Sequence, residues 1–194
     1  MAMRNVDVEI AHRLLGGGPV ALIATRYRRK INVMAAAWLM PISMNPPMVA
    51  IAVDKACLTH DFIERSGEFT INIPGVALMD RVRDAGTISG HEVDDKFEEV
   101  GLTPVAGEAL DAPLVDGCLG HLECAVIEAY DAGEEHTVFF AEVVAAQAEE
   151  EAFEETWLVP EEEEEAKPLH HLGGHTYALL SKPICAMDGL EAEE

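Results

Sequence analysis

Lys55 and Thr59 stand four residues apart where an apolar segment, Met48–Val53, gives way to a helix-forming one, Thr59–Ser66. The first turn of a helix has backbone N–H groups without intrahelical partners and the positive end of the helix dipole. A threonine hydroxyl and a lysine ammonium beside it would complete a seat for a phosphate. An ordinary capped helix with a surface lysine carries the same two residues. Upstream, Ala35-Ala36-Ala37 precede Trp38. Small side chains let a flat ligand approach a strand backbone closely, and a tryptophan beside them can cover one ring face, although a tryptophan also serves as core filler. A third group, His170 and His171 followed by His175, has the spacing of two metal ligands on one helical face, but Gly173 and Gly174 between them argue against a helix.

Motifs that carry chemistry on side chains are missing. There is no Gly-x-Ser-x-Gly elbow, no Gly-x-Gly-x-x-Gly and no Walker loop. Gly16-Gly17-Gly18-Pro19 follows a weak helical stripe (Val6, Ile10, Leu14, Leu15) and so closes a helix instead of opening one over a phosphate.

The elements that must position these residues are mostly strands. Val20–Thr25 is a short apolar strand, and Arg26-Tyr27-Arg28-Arg29-Lys30 a solvated hairpin tip. Ile31–Trp38 returns as a second strand, and Pro41, Pro46 and Pro47 punctuate the segment after it. Met48–Val53 is apolar throughout, which predicts a central strand covered on both faces. Thr59 is the expected N-cap of the helix ending at Gly67. Phe69–Ile73 is another strand, Val76–Asp84 a helix, and Asp95-Lys96-Phe97 a short helix in a polar stretch. Leu119–Tyr130 and Thr137–Val144 read as two long strands joined by a turn, with Leu122, Cys124 and Val126 alternating against Glu123, Ala125 and Ile127. Six or seven strands with few helices and no regular alternation favour a largely antiparallel barrel over a doubly wound sheet.

Composition bounds the partners. The chain has 194 residues, one domain by length, and its 13 Lys+Arg against 36 Asp+Glu give a net charge of −23. That balance excludes binding to nucleic-acid backbones and argues against anionic membrane surfaces. No apolar run is long enough to span a bilayer and the start is too polar for a signal peptide, so the cytoplasm is the expected location. Cys57, Cys118, Cys124 and Cys185 show no Cys-x-x-Cys pairing and read as buried thiols of a reducing compartment. Ten of the acidic residues fall between Glu149 and Glu165, an exposed insertion around 149–167 within the single domain. An acidic surface also speeds encounter with a basic redox protein, although solubility alone explains it.

The stretches Gly18–Thr25, Asn32–Trp38, Pro46–Ile51, Thr59–Ile63 and Ser66–Pro74, followed by Asp95-Lys96-Phe97, Leu122-Glu123-Cys124, Glu135-His136-Thr137 and Phe139–Val143, closely resemble in order and spacing the flavin reductase-like family. The resemblance covers most of residues 18–147. It implies a mainly β, antiparallel FMN-binding split barrel of Greek-key type with a few short flanking helices, and an NAD(P)H-dependent FMN oxidoreductase of the flavin reductase or flavoredoxin kind, with NADH or NADPH as donor. It also implies a homodimer with the flavin near the subunit interface, and a possible redox-protein partner. Carried over by position, Asn32, Val33, Met34, Ala35, Ala36, Ala37 and Trp38 would run along the isoalloxazine and ribityl chain. Lys55, Thr59 and Lys96 would hold the phosphate, His136 would lie near the ring, and His170 and His171 would close the site from the tail. The family often has Thr or Ser where this chain has Ala35, which removes a hydroxyl. A rival reading is therefore a non-catalytic split-barrel module that has lost flavin, with metal bound through His170, His171 and His175.

Overall fold

Alternate residues of the Val20–Thr25 run enter two different cores, which is why the segment is apolar at nearly every position. In the computed structural model, which describes residues 3–159, 163–181 and 183–184, β1 (Ala21–Tyr27) sends Ala21 and Ile23 to one side and Leu22 and Ala24 to the other. The first side meets Ile51 and Val53 of β4 (Pro47–Asp54), Phe69 and Ile71 of β5 (Glu68–Ile73), Cys124 of β8 (Gly120–Ala132) and Phe139 of β9 (His136–Ala148). Ile63 of helix α1 (Leu58–Ser66) joins the same cluster. The second side meets Leu78, Val82 and Ala85 at α2 (Met79–Thr87) and Phe97 of the short α3 (Lys96–Glu99).

The main sheet is antiparallel in the order β2-β1-β5-β8-β9-β4-β3, with β2 spanning Lys30–Ala36 and β3 Leu39–Met44. Its two edge strands, β2 and β3, are consecutive in the chain and separated only by Ala37 and Trp38. A seven-stranded sheet can meet that condition only by curling until its edges almost touch. The fold is a split barrel, and the split runs beside β2. Two small hairpins complete the strands: β6 (Pro104–Val105) with β7 (Leu114–Val115), and β10 (Leu169–Gly173) with β11 (Thr176–Leu179). The β10–β11 hairpin is tied to the Gly17–Val20 segment through Gly17 N–H to His171 O, His171 N–H to Gly18 O and Val20 N–H to Leu169 O, at 3.0, 3.0 and 3.1 Å.

Several expectations need correction. The stripe at 6–15 forms a 3₁₀ helix, Val8–Leu15, with no buried residue. β3 is a strand that the sequence does not announce, because Pro41 reads as a breaker. It is an edge strand with an irregularity between Pro41 and Ser43, where proline is tolerated. β4 is second from the sheet edge, not central, although Val49, Ala50, Ile51 and Val53 are buried. Thr59 is not the helix cap. The turn Asp54–Cys57 closes through Cys57 N–H to Asp54 O (3.0 Å), so α1 begins at Leu58 with Cys57 at the cap and no side-chain acceptor there. Glu123 does not face solvent. It lies on the face of β8 opposite Cys124, where the 108–110 segment covers it, and its carboxylate accepts from the N–H groups of Glu108, Ala109 and Leu110 at 2.8, 3.0 and 2.7 Å. The acidic segment lacks strands over its described residues and ends in a 3₁₀ turn, Glu164–Ala166, while Glu161, Glu162 and Cys185 lie outside the described residues.

Candidate functional site

As an edge strand, β2 hydrogen-bonds only to β1, so alternate peptide groups along it point away from the sheet with no strand partner. A continuous trough follows that free edge. It consists of three connected hollows of about 210, 190 and 680 Å³. Ala35, Gly86 and Thr87 line both the first and the second; Ala37, His171 and Gly174 line both the second and the third. Six residue steps separate Asn32 from Trp38, about 20 Å of extended chain.

The first hollow is polar and built from four elements. Asn32 and Met34 come from β2, Cys57–Thr59 from the start of α1, Thr87–Gly90 from the end of α2 and the loop after it, and Lys96 from α3. Asn32 is 2% exposed. Its amide nitrogen donates to Thr59 Oγ1 at 2.7 Å and its Oδ1 has no partner. Whichever way round the amide stands, Thr59 satisfies one end and leaves the other buried without a partner. The Thr59 hydroxyl keeps its own proton to give. Lys96 is 5% exposed, and its ammonium donates once, to Ala85 O at 2.8 Å. No carboxylate lies within ion-pair distance of it among the described residues. Burial pushes its pKa down from 10.5 to about 8, only partly offset by the neighbouring Cys57 thiol. The Cys57 thiol is itself pushed up, first by burial and then by Asp54. With no side chain capping α1, its first N–H groups add further donors. Gly90 makes this packing possible, since a Cβ there would collide with Asn32 Oδ1 and press on Leu58. An unpaired buried cation, the Thr59 hydroxyl and uncapped N–H groups border one hollow, and a phosphate ester would meet all three at once.

The far end is flat and apolar. Trp38, 51% exposed, lines the largest hollow with Ala37, Ile51, Ala52 and Val138. His136 lies against the Trp38 ring with centroids 5.0 Å apart and planes 31° apart, and His12 meets it edge-on at 5.7 Å. His171 borders both the middle and the large hollow, its Nε2 3.0 Å from Gly174 O and its ring 5.5 Å from that of Tyr177.

The structure thus brings Asn32, Met34, Ala35, Thr59 and Lys96 together at one end, and Ala36, Ala37, Trp38 and His171 along the rest, with His136 behind Trp38. Two residues stand apart. Val33 points into the core with Val82 and Phe97 and lines none of the three hollows. Lys55 is not part of the trough lining and pairs with Asp131 at 3.0 Å. The histidine cluster does not form a metal centre among the described residues. Successive residues of a strand face opposite sides, and His170 Nδ1 turns to Gly17 O at 2.8 Å while His171 turns to Gly174. Sequence reasoning missed Gly86, Thr87 and Gly90. A Cβ on Gly86 would lie 3.4 Å from the Ala35 methyl, and the one available signal was a glycine late in a helix.

Comparison with known proteins agrees with this architecture. The model of the flavin reductase like domain matches residues 16–179. YddH of Escherichia coli K12 is 39% identical over 189 residues, covering 94% of this chain and 98% of its own. An FMN-binding domain of a flavin reductases-like enzyme from Shewanella baltica OS155 superposes with a TM-score of 0.81 at 30% identity, covering 94% of this chain and 96% of its own. Flavoredoxin of Desulfovibrio vulgaris superposes with a TM-score of 0.75 at 28% identity, covering 96% and 94%. The chain belongs to the flavin reductase-like family.

Proposed function

We propose that this chain binds FMN along the free edge of β2 and works as an oxidoreductase fed by NADH, NADPH or a redox protein. The observation that carries the reading is the polar hollow at one end of a long apolar trough. Lys96, the Thr59 hydroxyl and the first N–H groups of α1 would hold the phosphate, with the Asn32 amide fixing the Thr59 hydroxyl in place. The edge peptides of β2 at Ala35–Ala37 would bond to the ring's polar rim, and Trp38 would border its face. When bound, the flavin itself supplies hydride and electron transfer. The protein's work is to orient the ring, keep water from its buried face and place donors at its edge. No nucleophile or general base is required of the chain. Likeness to an FMN-binding domain and to a flavoredoxin supports the reading.

A homodimer fits the surface. Val8, Leu14 and Leu15 of the 3₁₀ helix, Met40 and Met44 of β3, and Leu172 are all exposed, and together they offer apolar area for a second copy to cover. Sedimentation at micromolar concentration should give a dimer. Three free thiols and the lack of a membrane-crossing helix among the described residues favour the cytoplasm.

The deciding experiment is an anaerobic absorbance spectrum of the FMN-loaded chain before and after NADH, then NADPH. Bleaching of the flavin band by a nicotinamide, or by a reduced redox protein where neither nicotinamide acts, is expected. A colourless protein that ignores added FMN would overturn the assignment. So would an unchanged FMN titration in the Thr59→Ala/Lys96→Ala double variant for the phosphate end.

A further inference from the structure

The β1–β2 hairpin tip plays no part in the trough, yet it concentrates charge of the sign this chain lacks. Arg26, Arg28, Arg29 and Lys30, with Arg65 at the end of α1, are five of the 13 basic residues in a chain of net charge −23. Arg26 is committed to Asp111 O at 2.7 Å. The other four are exposed, and none has a carboxylate within 4.0 Å among the described residues. With 36 acidic residues available, four neighbouring unpaired cations are not what solvation alone arranges.

Two further features point the same way. Tyr27 pairs with Lys30, so Arg28 and Arg29 form a two-residue turn, and Arg28 has φ +58°. Hairpins fill that conformation with glycine, asparagine or aspartate; an arginine there is kept at the expense of the local backbone. The side chains are also held in place. The guanidinium carbons of Arg28 and Arg65 lie 5.2 and 5.5 Å from the centre of the Tyr27 ring, which packs on Phe62 at 6.1 Å. Guanidinium groups fixed on an aromatic ring keep their donor edges free and pre-oriented for paired oxygens.

We propose that this knuckle docks a carboxylate-rich segment of a partner polypeptide. The patch projects from a hairpin tip and is convex, whereas small-molecule sites are concave. It spans one turn and one helix end, enough for three or four carboxylates and too short for the extended basic track that a nucleic-acid backbone needs. The chain's own exposed acidic segment (Glu149–Glu151, Glu154, Glu155) cannot reach it. Glu149 follows the Gly120–Ala148 end of the β8–β9 pair, while the tip adjoins the opposite, Glu68 end of β5. Lys30 lies eight residues from Trp38, about 26 Å along extended chain, so a docked partner leaves the apolar end of the trough open.

The test uses a fluorescein-labelled peptide of ten glutamates, titrated with the full chain and read by fluorescence anisotropy. At low salt the wild type should bind, high salt should abolish binding, and Arg28→Gly with Arg29→Asn should weaken it at least tenfold. The same charge removed elsewhere, Arg4→Gln with Arg81→Gln, should change it less than threefold. Because Gly-Asn suits the turn, the tip variant should melt no lower than wild type. No binding at low salt, equal losses in both variants, or a lower melting temperature in the tip variant overturns the proposal. A single-stranded oligonucleotide of equal charge binding as tightly as the peptide overturns the choice of carboxylates.

Discussion

Replacing Lys96 with methionine separates the role of its charge from its packing. Burial of the ammonium lowers its pKa from 10.5 to about 8. That is a loss of about 3 kcal/mol in preference for the charged form. A phosphate dianion beside the ammonium restores most of it, so the same amount should appear in binding. Lys96→Met is expected to weaken FMN about a hundredfold at pH 7. Methionine fills a similar volume, and its uncharged end no longer suffers desolvation, which offsets the donor lost by Ala85 O.

The pH dependence gives a second signature with a definite sign. Phosphate monoesters are dianionic above about pH 6. In the free protein Lys96 loses its proton as pH rises through about 8. In the complex the proton is held to higher pH. Wild-type affinity should therefore be level below pH 8 and about tenfold weaker at pH 9 than at pH 7. The empty protein behaves in the opposite sense. Its folded-state pKa lies below the unfolded 10.5, so the unfolded chain binds more protons between about 8 and 10.5, and stability rises with pH across that window. Isothermal titration with FMN from pH 6.5 to 9.5, on wild type and Lys96→Met, reads the binding arm; denaturant melts of the empty protein read the other. A variant within threefold of wild type at pH 7, or two parallel pH profiles, would show that Lys96 does not meet the phosphate.

Three other outcomes test separate parts of the molecule. Gly90→Ala drives a methyl into Asn32 Oδ1 and Leu58, so FMN affinity should fall at least tenfold and stability by about 1–3 kcal/mol, measured by flavin fluorescence and urea melts. Trp38→Phe should remove most of the protein-fluorescence quenching caused by FMN, because the other tryptophan, Trp157, packs against Phe153 away from the trough; quenching unchanged by the substitution would move the ring elsewhere. Glu123→Ala strands three backbone N–H groups and should cost about 3 kcal/mol or more, with Glu123→Gln losing less, while FMN affinity in the folded variants stays within twofold.

Two strands buried on both faces are legible in the sequence, because Val20–Ala24 and Met48–Val53 are apolar without interruption, whereas β5 buries Thr70 and Asn72 on its second face and reads as half-exposed. β3 is not legible, since a proline that forbids a central strand is tolerated on an edge, and only the closed sheet order reveals which strand is the edge. Glu123 reads outward because it alternates with Cys124 as a solvent face would, and only the fold shows the 108–110 segment lying over that face. Lys55 illustrates a different limit. Its spacing from Thr59 is right for a shared ligand, but from the turn after β4 the side chain reaches Asp131, 76 residues away, and settles there. Local spacing fixes where a backbone is, not which of two directions a long side chain takes.

The trough also explains why a search for reactive side chains finds none. On the proposed reading, the wall that would face the ring is a strand edge, and the donors there are peptide groups that any sequence supplies. What the sequence supplies is room: alanine at 35, 36 and 37 along that edge, and glycine at 86 and 90 where α2 and its following loop close on β2. Side-chain chemistry is confined to the polar end, where a charge must be met. Ala35 sits between these regimes, touching both the polar and the middle hollow. On the proposed reading, the Ala35 departure would remove one contact and leave the phosphate seat of Lys96, Thr59 and the first α1 N–H groups in place, as long as the Asn32–Thr59 bond and the Gly90 approach stay intact.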